Sequence, residues 1–151
     1  MTNGQAYHRF RSDKVDAEKD RKTIVYIEDE RELIDLLALI LRKEDVRFAW
    51  ALTGEQGWEL IKELQPDLVL LDLMLPDIDG WEVFNRMRQD PALRDVPVIV
   101  ITVRTEGLTE GIWPQVAEVA DYLVKPFTVK ELRASIARAL QGTEDRQQEV
   151  L

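Results

Sequence analysis

The run LVLLDLMLPDIDG at residues 68–80 constrains this chain more than any other stretch. Four apolar residues lead into a carboxylate, Asp72, and a loop rich in Pro and Asp follows, closed by Gly80. A short strand apolar on both faces belongs where helices cover both sides of a parallel sheet. A carboxylate at the end of such a strand is costly to desolvate unless a cation or hydrogen-bond donors meet it. Two other segments carry matching groups. TIVYIEDE places Glu28 and Asp29 after an apolar run, and DYLVKPF places Lys125 after another. Together they describe three acidic groups and one ammonium along one sheet edge. Such a site suits a hard divalent cation and a phosphoryl group.

Strands and helices alternate around these segments. Strands are predicted at 23–28, 46–51, 67–72, 96–102 and 121–125. Leu33, Leu36, Leu37, Ile40 and Leu41 make a helical stripe within 31–43. Thr53 with Gln56, and Thr128 with Glu131, have capping-box spacing and open helices running to about Leu64 and about Leu140. A helix from Gly80 to about Gln89 turns Trp81, Phe84 and Met87 inward. Residues 107–119 form the weakest predicted helix, because Gly107, Gly111 and Pro114 all lower helix propensity. Five such βα units predict a doubly wound α/β domain, a five-stranded parallel sheet with helices on both faces. Ligands of such sheets bind beyond the carboxyl ends of the strands, and every charged residue named above falls there.

The 151 residues fit one domain. Residues 1–22 read as a charged arm, 23–141 as the ordered domain and 142–151 as a polar, fraying tail. His8 reads as a solvated residue of the arm. The net charge of −9 argues against unspecific grip on nucleic acid or anionic lipid, which need a basic surface. No apolar run approaches the ~18 residues of a membrane span, and the arm lacks the apolar stretch of a secretory signal. With no cysteine, disulfides and thiolate metal sites are excluded. These features fit a cytoplasmic protein.

The chain resembles the receiver domain of two-component response regulators, over residues 23–141. The motifs that carry the likeness are Glu28-Asp29 after the first strand, Asp72 with LMLPDIDG after the third, Thr102 after the fourth and Lys125-Pro126-Phe127 after the fifth. The resemblance implies a flavodoxin-like strand order 2-1-3-4-5. It implies that Asp72 accepts the phosphoryl group. It also implies that Asp29, Asp72 and the Met74 backbone carbonyl ligate Mg²⁺ (or Mn²⁺), with Glu28 acting through water. By the same resemblance Lys125 contacts the phosphoryl group, Lys125-Pro126 carries a cis peptide, and Thr102 and Tyr122 form a switch. That switch alters the surface of the fourth helix, fifth strand and fifth helix. Val103 departs from the small residue usual after Thr102, which predicts a longer-lived acyl phosphate.

The resemblance further implies a sensor histidine kinase or histidine phosphotransfer protein as phosphodonor. About eleven residues follow Leu140, so the expected output is a contact with a protein effector, without nucleic acid or membrane, from a monomer or weak homodimer. A pseudo-receiver that binds without taking phosphate is the alternative. A phosphohydrolase of the haloacid dehalogenase type is disfavoured, because it needs a carboxylate two residues after its nucleophile and Met74 stands there.

Overall fold

A computed structural model describes residues 21–103 and 118–150. Five strands and four helices follow one another along the described residues: β1 (Lys22–Ile27), α1 (Arg31–Leu41), β2 (Val46–Ala51), α2 (Gly54–Leu64), β3 (Leu68–Leu71), α3 (Gly80–Gln89), β4 (Val98–Thr102), β5 (Asp121–Val124) and α4 (Val129–Val150). All strand pairings are parallel, in the order β2-β1-β3-β4-β5. This is the predicted doubly wound sheet with its predicted strand order.

Alternation along each strand explains why the strands are apolar throughout. Ile24, Tyr26, Leu68, Leu70, Ile99 and Ile101 face one way, onto Ile34 and Leu37 of α1 and Leu132 and Ile136 of α4. Val25, Ile27, Val69, Leu71, Val98 and Val100 face the other way, onto Leu60 and Ile61 of α2 and Val83, Phe84 and Met87 of α3. Each fully buried Leu, Ile or Phe contributes about 1.5–3 kcal/mol. The sheet is therefore stapled from both sides, and its carboxyl edge is a firm platform.

The helix starts follow the sequence. Thr53 Oγ1 accepts from Gln56 N at 3.1 Å. Thr128 and Glu131 form the reciprocal box, with Glu131 N to Thr128 Oγ1 at 3.0 Å and Thr128 N to Glu131 Oε1 at 2.8 Å. α2 ends on Gln65 at φ 47°, a left-handed conformation that strains a residue with a side chain.

Two boundaries differ from expectation. Lys22 lies in β1, and Arg21 is tied to the sheet edge through Val46 O at 2.7 Å and Asp45 at 3.2 Å. α4 runs to Val150 rather than ending near Leu140. Its last residues are polar but mostly straight-chain helix formers, and Gly142 alone, at about 1 kcal/mol, does not break the helix. The rest of the expected arm (His8 included), the predicted helix at 107–119 and Trp113 lie wholly or mostly outside the described residues. No helix among the described residues is long and apolar enough to cross a membrane.

Candidate phosphoacceptor site

Sheet register builds the site. Ile27 of β1 lies opposite Leu71 of β3, so Glu28 and Asp72 leave the sheet side by side. Backbone bonds continue past the strand ends: Asp72 N donates to Ile27 O at 3.1 Å, and Glu28 N to Ala51 O at 3.0 Å. On the far side of β4, Lys125 N donates to Thr102 O at 3.0 Å. The Lys125-Pro126 peptide is cis. Gly80 permits the tight return of the loop after β3, because a Cβ there would collide with the Asp72 carbonyl oxygen and lie 2.7 Å from Leu73 Cα. Two aspartates hold that loop. Asp77 accepts from Gly54 N and Glu55 N, both at 2.8 Å, which caps α2 from outside. Asp79 accepts from Trp81 N at 2.8 Å and caps α3. Burial pushes Asp77 up, but these backbone donors outweigh it and hold the carboxyl below its ordinary range.

Lys125 Nζ lies 2.7 Å from Glu28 Oε1, 2.9 Å from Asp72 Oδ2 and 3.0 Å from Glu30 Oε2. Glu28 is wholly buried. Its Oε1 also accepts from Tyr26 OH at 2.8 Å, and its Oε2 from Glu30 N at 3.2 Å. Asp72 Oδ1 accepts from Met74 N at 3.0 Å. Burial raises Glu28 to about 7; Lys125 pulls it down, and the Asp72 charge pushes it up again. Burial alone would lower Lys125, but Glu28, Asp72 and Glu30 hold its ammonium well above the usual lysine range. Tyr26 is driven far above an ordinary phenol, first by burial and then by Glu28, so it stays a donor. Glu28 is thus raised first by burial and then by the Asp72 charge, whereas Lys125 is raised by the carboxylates around its ammonium.

Glu28, Asp29 and Asp72 each offer a carboxylate oxygen, all within 4.8 Å of one another. This oxygen-only group could hold a metal ion and matches the hard-cation donor set. Both Glu28 oxygens are already engaged, whereas Asp29 is exposed. The structure thus gathers Glu28, Asp29, Asp72 and Lys125. Thr102 is buried at the end of β4, paired in register with Val124. Tyr122, opposite Val100, is 37% exposed, and Val103 is 58% exposed. Two participants escaped the sequence reading. Tyr26 stands two residues before Glu28, on the same strand face, a spacing that could have shown it. Glu30, one residue past the Glu28-Asp29 pair, has no motif to mark it, yet it reaches Lys125.

The family model of the response regulator receiver domain matches residues 24–137. The chain belongs to that family. Receiver domains are the regulatory phosphoacceptors of two-component signalling, and they generally bind Mg²⁺ in an acidic pocket. The DNA-binding response regulator MtrA of Mycolicibacterium smegmatis is 36% identical over 137 residues, 87% of this chain and 56% of that protein. The DNA-binding dual master transcriptional regulator RpaA of Synechocystis is 36% identical over 127 residues, 80% of this chain and 50% of that protein. A CheY-like receiver from Methanospirillum hungatei superposes with a TM-score of 0.75 at 25% identity, covering 84% of this chain and 99% of the other. The N-terminal domain of a receiver protein from Methanoculleus marisnigri gives 0.63 at 34% identity, covering 76% and 93%.

The chain spans about half the length of the curated relatives it matches. That overturns the expectation of no nucleic-acid partner, since those relatives are named as DNA-binding regulators. The net charge of −9 speaks only against unspecific grip on nucleic acid, so it could not carry that expectation.

Proposed function

We propose that this receiver takes a phosphoryl group on Asp72 from a partner histidine kinase or histidine phosphotransfer protein. One Asp72 oxygen attacks the phosphorus of the donor's phosphohistidine. An O–P bond forms, the N–P bond breaks, and its electron pair returns to the imidazole nitrogen. Positioning and charge neutralisation supply most of the catalysis in such transfers. Lys125 pairs with Asp72 at rest and donates to a phosphoryl oxygen as well afterwards. Asp29, Asp72 and the Met74 backbone carbonyl would hold Mg²⁺ (or Mn²⁺), with Glu28 acting through water. When bound, the ion supplies positive charge at the phosphoryl oxygens.

Thr102 then donates its hydroxyl to the new phosphoryl group and draws its loop inward. Tyr122 turns in behind it and reshapes the surface around β5 and α4. This is a local charge event biasing a two-state element. The names of the relatives support an output that reaches DNA, through contact between this surface and a DNA-binding regulator or segment. In this reading the exchange takes place in the cytoplasm.

The observation that carries the reading is Lys125 Nζ at 2.9 Å from Asp72 Oδ2 within a cluster of carboxylates. Acetyl phosphate with Mg²⁺ should add the mass of one phosphoryl group to the intact protein. Asp72→Asn or excess chelator should abolish the addition. Unmodified wild type would leave the pseudo-receiver reading standing.

A further inference from the structure

An ammonium has three N–H donors and no acceptor. Three carboxylate oxygens surround Lys125 Nζ at 2.7 to 3.0 Å, from Glu28, Asp72 and Glu30. A phosphoryl oxygen arriving at Asp72 must therefore displace one of the three. Glu28 cannot leave cheaply: its side chain is 0% exposed, and departure would strand a buried carboxylate. Asp72, 5% exposed, is the group being modified. The Glu30 side chain is 57% exposed, so water replaces Lys125 around it at little cost.

Two further facts assign the Glu30 carboxylate to Lys125 rather than to the helix. Glu30 is the N-cap residue of α1, but its side chain makes no capping hydrogen bond. Its backbone stays fixed whichever way the side chain turns, because its carbonyl accepts from Leu33 N at 3.1 Å and Ile34 N at 3.3 Å.

We propose that Glu30 is a positioning residue that occupies the third donor of Lys125 at rest and yields it to a phosphoryl oxygen, thereby restraining phosphoryl uptake. The inference rests on Asp72 being the acceptor. Glu30 sets how readily Lys125 changes partner and takes no part in bond making.

Beryllofluoride, a phosphoryl mimic, should be titrated at saturating Mg²⁺ against wild type, Glu30→Gln and Glu32→Gln, with tryptophan fluorescence as readout. Glu32 lies in the same first turn of α1 and controls for loss of one nearby negative charge. Glu30→Gln should bind about threefold to fivefold tighter than wild type, the size of a partly exposed ion pair. That gain should shrink as salt is added, while the melting temperature of the unliganded protein falls by no more than about 4 °C. Glu32→Gln should match wild type. Equal affinity for Glu30→Gln and wild type, or an equal gain from Glu32→Gln, would overturn the role of Glu30 while leaving Asp72 as acceptor. Wild type that binds no beryllofluoride, and takes no mass from acetyl phosphate, would overturn both.

Discussion

The two ends of the sheet solve the problem of polar groups beside an apolar core in opposite ways. At the amino end, Thr23 N donates to Asp67 Oδ2 at 2.7 Å, and Asp67 N returns a bond to Thr23 O at 2.8 Å. Arg47 adds two bonds to Thr23 Oγ1, at 2.9 and 2.6 Å. Among Thr23, Arg47 and Asp67 donors and acceptors are matched. At the carboxyl end, Glu28, Glu30 and Asp72 share Lys125, and Asp29 adds a fourth carboxylate nearby. The first arrangement is complete in itself. The second is short of positive charge, the mark of a site kept for a ligand at some expense in stability.

Removing the Lys125 cation tests this contrast most severely. Lys125→Met leaves Glu28 buried beside Asp72 without its partner, and should cost about 3–5 kcal/mol in urea unfolding with chelator present. A loss under 1 kcal/mol would mean that the cluster is not electrostatically strained. Asp67→Ala at the other end should cost about 1–3 kcal/mol through the unmet Thr23 N–H. It should leave Mg²⁺ affinity unchanged by calorimetry; a weakened affinity would show that the two ends are not independent.

Acidity separates the ends by sign. Glu28 is raised from 4.5 to about 7, so its folded form holds more protons than the unfolded chain between those values. Its stabilising contribution to the metal-free protein is complete below 4.5 and is lost as pH rises through about 7. Asp121, at the amino end of β5, behaves oppositely. Burial pushes it up, but Ser135 and Arg138, each bonded at 2.7 Å, hold it below 3.8. Its contribution is present above 3.8 and is lost as pH falls through its lower folded value. Unfolding midpoints in chelator should therefore rise between about pH 8 and about pH 5, and fall again below about pH 4. A midpoint that only declines with acid would assign Glu28 an ordinary acidity. The smallest effect concerns geometry rather than charge. Gln65→Gly relieves the left-handed conformation at φ 47° and should gain about 0.5 kcal/mol, read as a small rise in melting temperature.

The fold was legible because strands apolar on both faces admit few arrangements, and the capping boxes at Thr53 and Thr128 marked where helices begin. Convergence of Glu28, Asp72 and Lys125 was legible from their common place after apolar strands. The engagement of Glu30 was not, since it depends on how far the Lys125 side chain reaches past β4 toward β1. Tyr26 was hidden because its ring satisfies the apolar pattern while its hydroxyl serves Glu28. The extension of α4 was missed because polarity was read as fraying, although helix propensity does not require an apolar stripe.

The clamp made by Asp77 and Asp79 has a mechanical consequence. It bolts the loop after Asp72 to α2 on one side and α3 on the other, like the fixed jaw of a vice. On the proposed reading, a group added at Asp72 meets this braced loop on one side, so movement is expected on the other, where Thr102 stands. The direction of the proposed response would thus be set by what has been bolted down before the stimulus arrives.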